Sequence, residues 1–129
     1  MLVWDFNWSF GQEWRTEREA PDDGRVSTHN RLFDRLLDSP RFGPPLRARL
    51  VDALRGPLAL EHTLPLVDAY AAEIEAASAR DDRRWGADHE AYFEVAGKRQ
   101  DFLSPPEERA YVRSWIEGRW AYLLAKFSR

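Results

Sequence analysis

Ser104-Pro105-Pro106-Glu107 opens the stretch that most limits what this chain can fold into. Ser supplies a cap, Pro takes the first helical position and Glu falls at the third, an arrangement that starts a helix. Behind it, Tyr111, Val112, Trp115, Ile116, Trp120, Leu123, Leu124 and Phe127 recur at helical spacing. That makes a wide apolar stripe over about five turns. A helix this apolar on one side has to be covered, and the rest of the chain supplies mostly further helices to cover it.

Upstream, Leu32, Phe33, Leu36 and Leu37 form a stripe that starts after Ser27 or Thr28 as a cap and is stopped by Pro40. A second helix follows Pro44-Pro45, with Leu46, Leu50, Val51 and Leu54 on one face and Gly56 well placed to end it. A third is predicted from about Glu61 to Ala79, with Leu66, Val67, Tyr70, Ile74 and Ala77 inward and Pro65 in its first turn. Arg80-Asp81-Asp82-Arg83-Arg84-Trp85-Gly86 reads as a charged connector, and a weaker helix is expected over 88–96. Before residue 27 there is no helical stripe. Leu2-Val3-Trp4 suggests a short strand, and Pro21-Asp22-Asp23-Gly24 a turn, since Pro fixes φ and Gly accepts positive φ. The expected architecture is mainly α: a short N-terminal strand and turn over 1–26, then a bundle of about five helices over 27–129, forming a single domain.

Composition removes several classes of function. The 129 residues carry 19 basic and 22 acidic groups, a net charge of −3. Such a chain has no global attraction to phosphate backbones, and no nucleic-acid partner is expected. There is no Cys, so disulfides, thiolate catalysis and Cys-based zinc sites are excluded. No apolar run is long enough to span a membrane. Met1-Leu2-Val3-Trp4-Asp5 has neither the basic segment nor the apolar core of a signal peptide. A cytoplasmic location is the default expectation, which a missing front end would cancel.

The segment with chemical potential is Trp4-Asp5-Phe6-Asn7-Trp8-Ser9-Phe10-Gly11. A carboxylate leaving the end of a short strand can hold Mg²⁺, which wants oxygen ligands and commonly takes one or two carboxylates plus phosphate oxygens. The metal-holding Asp of protein kinases works this way. The same residues also fit an aromatic-rich strand and turn whose Asp caps or faces solvent, and on spacing alone that plainer reading leads.

The pattern resembles the W-D-[YF]-[DN]-x-[SA]-[FW]-G signature of the CotH family, atypical protein kinases first recognised in bacterial spore coats. The similarity continues in order. Asn30-Arg31-Leu32-Phe33-Asp34-Arg35-Leu36-Leu37, then Phe42, Leu46, Arg49 and Leu50, resembles the helix pair after the signature. Leu66-Val67-Asp68-Ala69-Tyr70 with Ile74, then Asp81-Asp82-Arg83-Arg84-Trp85, resembles the long helix with its closing D…RW stretch. Val112-Arg113-Ser114-Trp115-Ile116-Glu117-Gly118-Arg119, then Leu123-Leu124, resembles the final helix. The likeness covers essentially this whole chain but only the closing part of a full family domain.

The resemblance implies the helical C-terminal lobe of a kinase-like fold, ATP with Mg²⁺, and phosphoryl transfer to Ser or Thr of a protein substrate. Carried over, Asp5 is the metal and cofactor ligand, and Asn7 stands where many members have a second acidic ligand. The departures matter as much. In kinase-like chains a nucleotide-binding Lys and a catalytic Asp precede the metal-holding Asp; here both Lys residues, Lys98 and Lys126, lie downstream of it. No Gly-rich phosphate loop occurs. No catalytic residue is therefore assigned within this chain. The expectation is a fragment that does not bind ATP and Mg²⁺ or act alone, whose partner is a missing N-terminal kinase portion, and whose residues 2–10 form a sticky edge prone to self-association. The rival expectation is a non-enzymatic helical interaction module.

Other candidates are weaker. His29, His62 and His89 have no partners at ligand spacing, and no G-x-S-x-G nucleophile turn occurs. Asp22-Asp23 and Asp81-Asp82 read as solvated loop charges, Arg80, Arg83 and Arg84 beside Trp85 as local ion pairs, and Trp115 and Trp120 as core.

Overall fold

Four helices make up most of the described part of the chain: α1 (Arg31–Asp38), α2 (Gly43–Arg55), α3 (Leu60–Val95) and α4 (Pro105–Phe127). The computed structural model describes residues 10–11, 18–23, 31–95 and 103–128. The expected strand at Leu2-Val3-Trp4 and the helix start at Ser27 or Thr28 lie outside them. No described helix is long and apolar enough to cross a membrane.

α1 ends at Asp38, as Pro40 requires, because the residue before a proline is driven out of the helical region. α2 begins with Gly43, and Pro44 and Pro45 fall in its first turn, where their missing N–H groups cost nothing. Gly43 is buried under α1: a Cβ there would lie 2.3 Å from the Leu37 carbonyl oxygen. That oxygen also accepts a bond from Arg47 Nη2 at 2.7 Å, so the α1–α2 corner is tied by both packing and hydrogen bonding. Gly56 follows α2 directly, but with φ of −118° rather than a left-handed cap. The helix is closed instead by the Leu58 N–H, which donates to the Ala53 carbonyl at 2.8 Å.

The third and fourth predicted helices are one. α3 runs unbroken through 36 residues, so the described helices number four rather than about five. The stretch 80–86 breaks nothing: Arg is a good helix former, Asp81 and Arg84 stand at a favourable i, i+3 spacing, and no Pro follows Pro65 within the helix. Gly86 alone costs about 1 kcal/mol, which its neighbours outweigh. Arg84 also lays its guanidinium 4.9 Å from the centre of the Trp85 ring. Pro65 is inside α3 rather than in its first turn, because the helix starts at Leu60. The Glu61 carbonyl thereby loses its intrahelical donor.

α4 begins as its sequence dictates. The Glu107 carboxylate accepts from the Ser104 N–H at 2.9 Å and from the Ser104 hydroxyl at 2.5 Å. Fully exposed though it is, these two bonds, the hydroxyl's first, hold its pKa below the usual glutamate value. Trp120 Nε1 donates to the Leu58 carbonyl just ahead of α3, and Arg113 pairs with Asp68 ten residues later, so α3 and α4 run antiparallel. The core lies between α2, the start of α3 and α4: Val51, Leu54, Ala59, Ile116 and Phe127 are buried. At 1.5 Å per residue α3 spans about 54 Å and α4 about 35 Å, so the far half of α3 projects past its partner. Residues 80–89, Gly86 apart, are exposed accordingly.

Candidate functional site

Asp5 and Asn7, the expected metal ligands, lie outside the described residues. The last two residues of the same signature, Phe10 and Gly11, lie within them, and their setting shows what holds the segment. Both have positive φ, 56° and 80°. Gly accepts this readily, whereas Phe does so at a cost of about 1 kcal/mol or more. α4 supplies the compensation. Tyr111 donates its hydroxyl to the Phe10 carbonyl at 2.9 Å, and the Phe10 ring meets Trp115 edge to face at 6.2 Å. A Cβ on Gly11 would lie 2.3 Å from Trp115 Nε1, so only glycine lets the indole approach this closely.

A second strand of contacts follows over residues 18–23. The Glu19 N–H donates to the Gly11 carbonyl at 2.7 Å, while the Glu19 carbonyl accepts from Trp115 Nε1 at 3.0 Å. Arg18 pairs with Glu108 at 2.6 Å and lies 3.6 Å from the centre of the Tyr111 ring. A turn is present at Pro21-Asp22, where the Asp23 N–H donates to the Ala20 carbonyl at 3.0 Å with Pro21 at the position whose φ it pre-sets; Gly24, the other half of the predicted signal, lies outside the described residues. Arg119 Nη1 donates to the carbonyls of Pro21 and Asp23, at 3.1 and 2.6 Å. Gly118 is glycine for the same reason as Gly11, since a Cβ would stand 2.7 Å from Pro21 Cγ.

One edge of α4, built from Glu108, Tyr111, Trp115, Gly118 and Arg119, therefore seats the end of the signature and the segment behind it. By their helical spacing Trp115 and Trp120 are expected simply as core. Both are only half-buried, and each spends its indole N–H on a distant backbone carbonyl. In the sequence Gly118 and Arg119 stand only within the likeness to the family's final helix, with no packing or hydrogen-bonding role attached to either. The available signal is the i, i+4, i+8 run of donors Tyr111, Trp115 and Arg119, next to a mid-helix glycine whose propensity cost needs a packing reason.

The family profile described as CotH kinase protein matches residues 1–123. This chain belongs to the CotH kinase family. No curated protein and no solved structure matches it. Within the CotH match fall both the signature and the α4 edge that receives its end.

The remaining candidates stay apart from this site. His62 is exposed at the start of α3, 3.9 Å from Glu61, and His89 is exposed on its far half. His29 lies outside the described residues. Among the described residues no group of three His, Cys, Asp or Glu side chains is placed to hold a metal. Asp81 and Asp82 stand on an exposed helix rather than in a loop, and Asp22 is exposed in the turn.

Proposed function

We propose that this chain is the helical C-terminal part of a CotH-like protein kinase and contributes the metal-holding segment at Asp5 to a site completed by another polypeptide portion. The observation that carries this reading is the family match running from the signature through α4. The donor chemistry fits Mg²⁺: Asp5 offers carboxylate oxygens and Asn7 an amide oxygen, the hard donors that cation prefers. Bound Mg²⁺ would neutralise charge on the nucleotide phosphates during transfer to a protein hydroxyl. The chain's own part is to present that carboxylate to the phosphates, where misplacement of such a group by about 1 Å costs on the order of a hundredfold in rate.

The test is twofold. Titration calorimetry of Mg-ATP into this chain alone should show no tight binding; tight binding abolished by Asp5→Asn would overturn the shared site. Affinity purification should recover a polypeptide bearing a Gly-rich loop, a Lys and a catalytic Asp, and the complex, not the chain, should phosphorylate protein Ser or Thr.

A second reading, a non-enzymatic interaction module, is favoured by one observation. Leu66, Tyr70 and Ile74 repeat at i, i+4, i+8 on α3 and are 57%, 66% and 61% exposed. A helix face this apolar is ordinarily covered by a partner. Recovery only of polypeptides without kinase residues would favour it.

A further inference from the structure

Two exposed apolar faces of this chain carry opposite charge. On α2, Phe42, Leu46 and Arg49 follow one another at i, i+4 and i+7, on the side of the helix away from the buried Val51. Phe42 and Leu46 are 48% and 46% exposed, and Arg49 is exposed beside them. Residues 31–55 around this face hold six Arg against three Asp, in a chain whose net charge is −3. On α3, Leu66, Tyr70 and Glu73 repeat the same spacing, with Ile74 next to them, and all four are exposed. Residues 60–79 hold four carboxylates and neither Lys nor Arg; Arg113 pairs with one of the four, Asp68. Within a single chain neither face covers the other.

We propose that a second copy of this chain covers them, α3 of one copy lying parallel along α2 of the other. In that direction Leu66 meets Phe42, Tyr70 meets Leu46 and Glu73 meets Arg49. Run antiparallel, Glu73 would fall on Phe42 and Arg49 on Leu66, so the shared spacing selects the parallel register. Pairing like with like is opposed, because it would bring two basic or two acidic surfaces together. Burial of the apolar residues drives the association, while the charges choose the partner and fix the register. Nothing in this contact requires a metal or a nucleotide.

Sedimentation velocity of the full chain over a concentration series tests the contact. The parent should self-associate, and Arg49→Glu or Glu73→Arg should each weaken association about tenfold by setting like charges opposite each other. Both positions are exposed, so neither change removes a buried contact, and circular dichroism checks that each variant keeps its helices. An equimolar mixture of the two single variants should associate as tightly as the parent, because the two reversals then face each other. The Arg49→Glu, Glu73→Arg double variant should do the same by itself. A single reversal without effect, or a mixture that fails to associate, overturns the proposal. So does a parent that stays monomeric. Capture of that monomer by anionic phospholipid vesicles, or by the polypeptide recovered in affinity purification, with loss of binding in Arg49→Glu, would then assign the α2 face to that occupant instead.

Discussion

Glycine at position 11 and glycine at position 86 make opposite predictions, although both lack a side chain for the same formal reason. Gly11 combines a φ of 80° with an indole nitrogen where its Cβ would be. Gly11→Ala should therefore destabilise the chain by about 2–3 kcal/mol in urea unfolding, from backbone strain plus displacement of Trp115. Gly86 is an ordinary helical glycine whose Cβ would stand 3.2 Å from Asp82 Oδ1, the movable end of an exposed side chain. Gly86→Ala should stabilise by about 0.5–1 kcal/mol in the same measurement. Glu107 supplies a third residue-level prediction, on pH. Its carboxylate is held below the ordinary range by the Ser104 hydroxyl and N–H. Its contribution is thus complete above the ordinary glutamate range and is lost as pH falls through the lowered native value. Glu107→Gln should flatten that part of the acid limb of thermal stability, and a mutant as pH-sensitive as the parent would refute the assignment.

Among the elements, α4 was the most legible and α3 the least. Ser104, Pro105 and Glu107 signal a helix start through local chemistry that needs no tertiary help, and the structure begins α4 there. α3 misleads because a run of charges resembles a connector in composition while each residue in it tolerates helix. Only Pro and clustered Gly would have broken it, and 80–86 holds a single Gly. Pro65 is the reverse case: a proline inside a helix, held because flanking turns outweigh its cost. Pro65→Ala should restore the donor missing at the Glu61 carbonyl and raise stability by about 1–3 kcal/mol. Circular dichroism during thermal unfolding reads this directly, and an unchanged or lower midpoint would mean that the ring packs usefully where it stands.

For the molecule as a whole, the described core is small and the apolar surface outside it is large. Leu32 and Phe33 on α1, Phe42 ahead of α2 and Leu46 on it, and Leu66, Tyr70 and Ile74 on α3 are all exposed. The sequence puts Leu32, Phe33 and Leu46 on apolar stripes and reads Leu66, Tyr70 and Ile74 as inward, because periodicity says which residues share a face but not whether anything lies against it. The seat of the signature on α4 was invisible for a different reason: no local pattern links Phe10 to Tyr111, 101 residues on. The α3 face carries its own prediction. The chain should associate with rising concentration in sedimentation velocity, and Leu66→Lys with Ile74→Lys should suppress this. Association that survives the double change would point instead to residues 2–10, the edge expected to be sticky.

The order in which a ribosome delivers these parts has a consequence. Phe10 leaves the ribosome 101 residues before Tyr111, which with Trp115 receives it on α4. A nascent chain halted anywhere before α4 carries the complete signature with nowhere to dock it. A polypeptide terminated ahead of α4 therefore keeps its motif and lacks the side chains that seat Phe10 and Gly11.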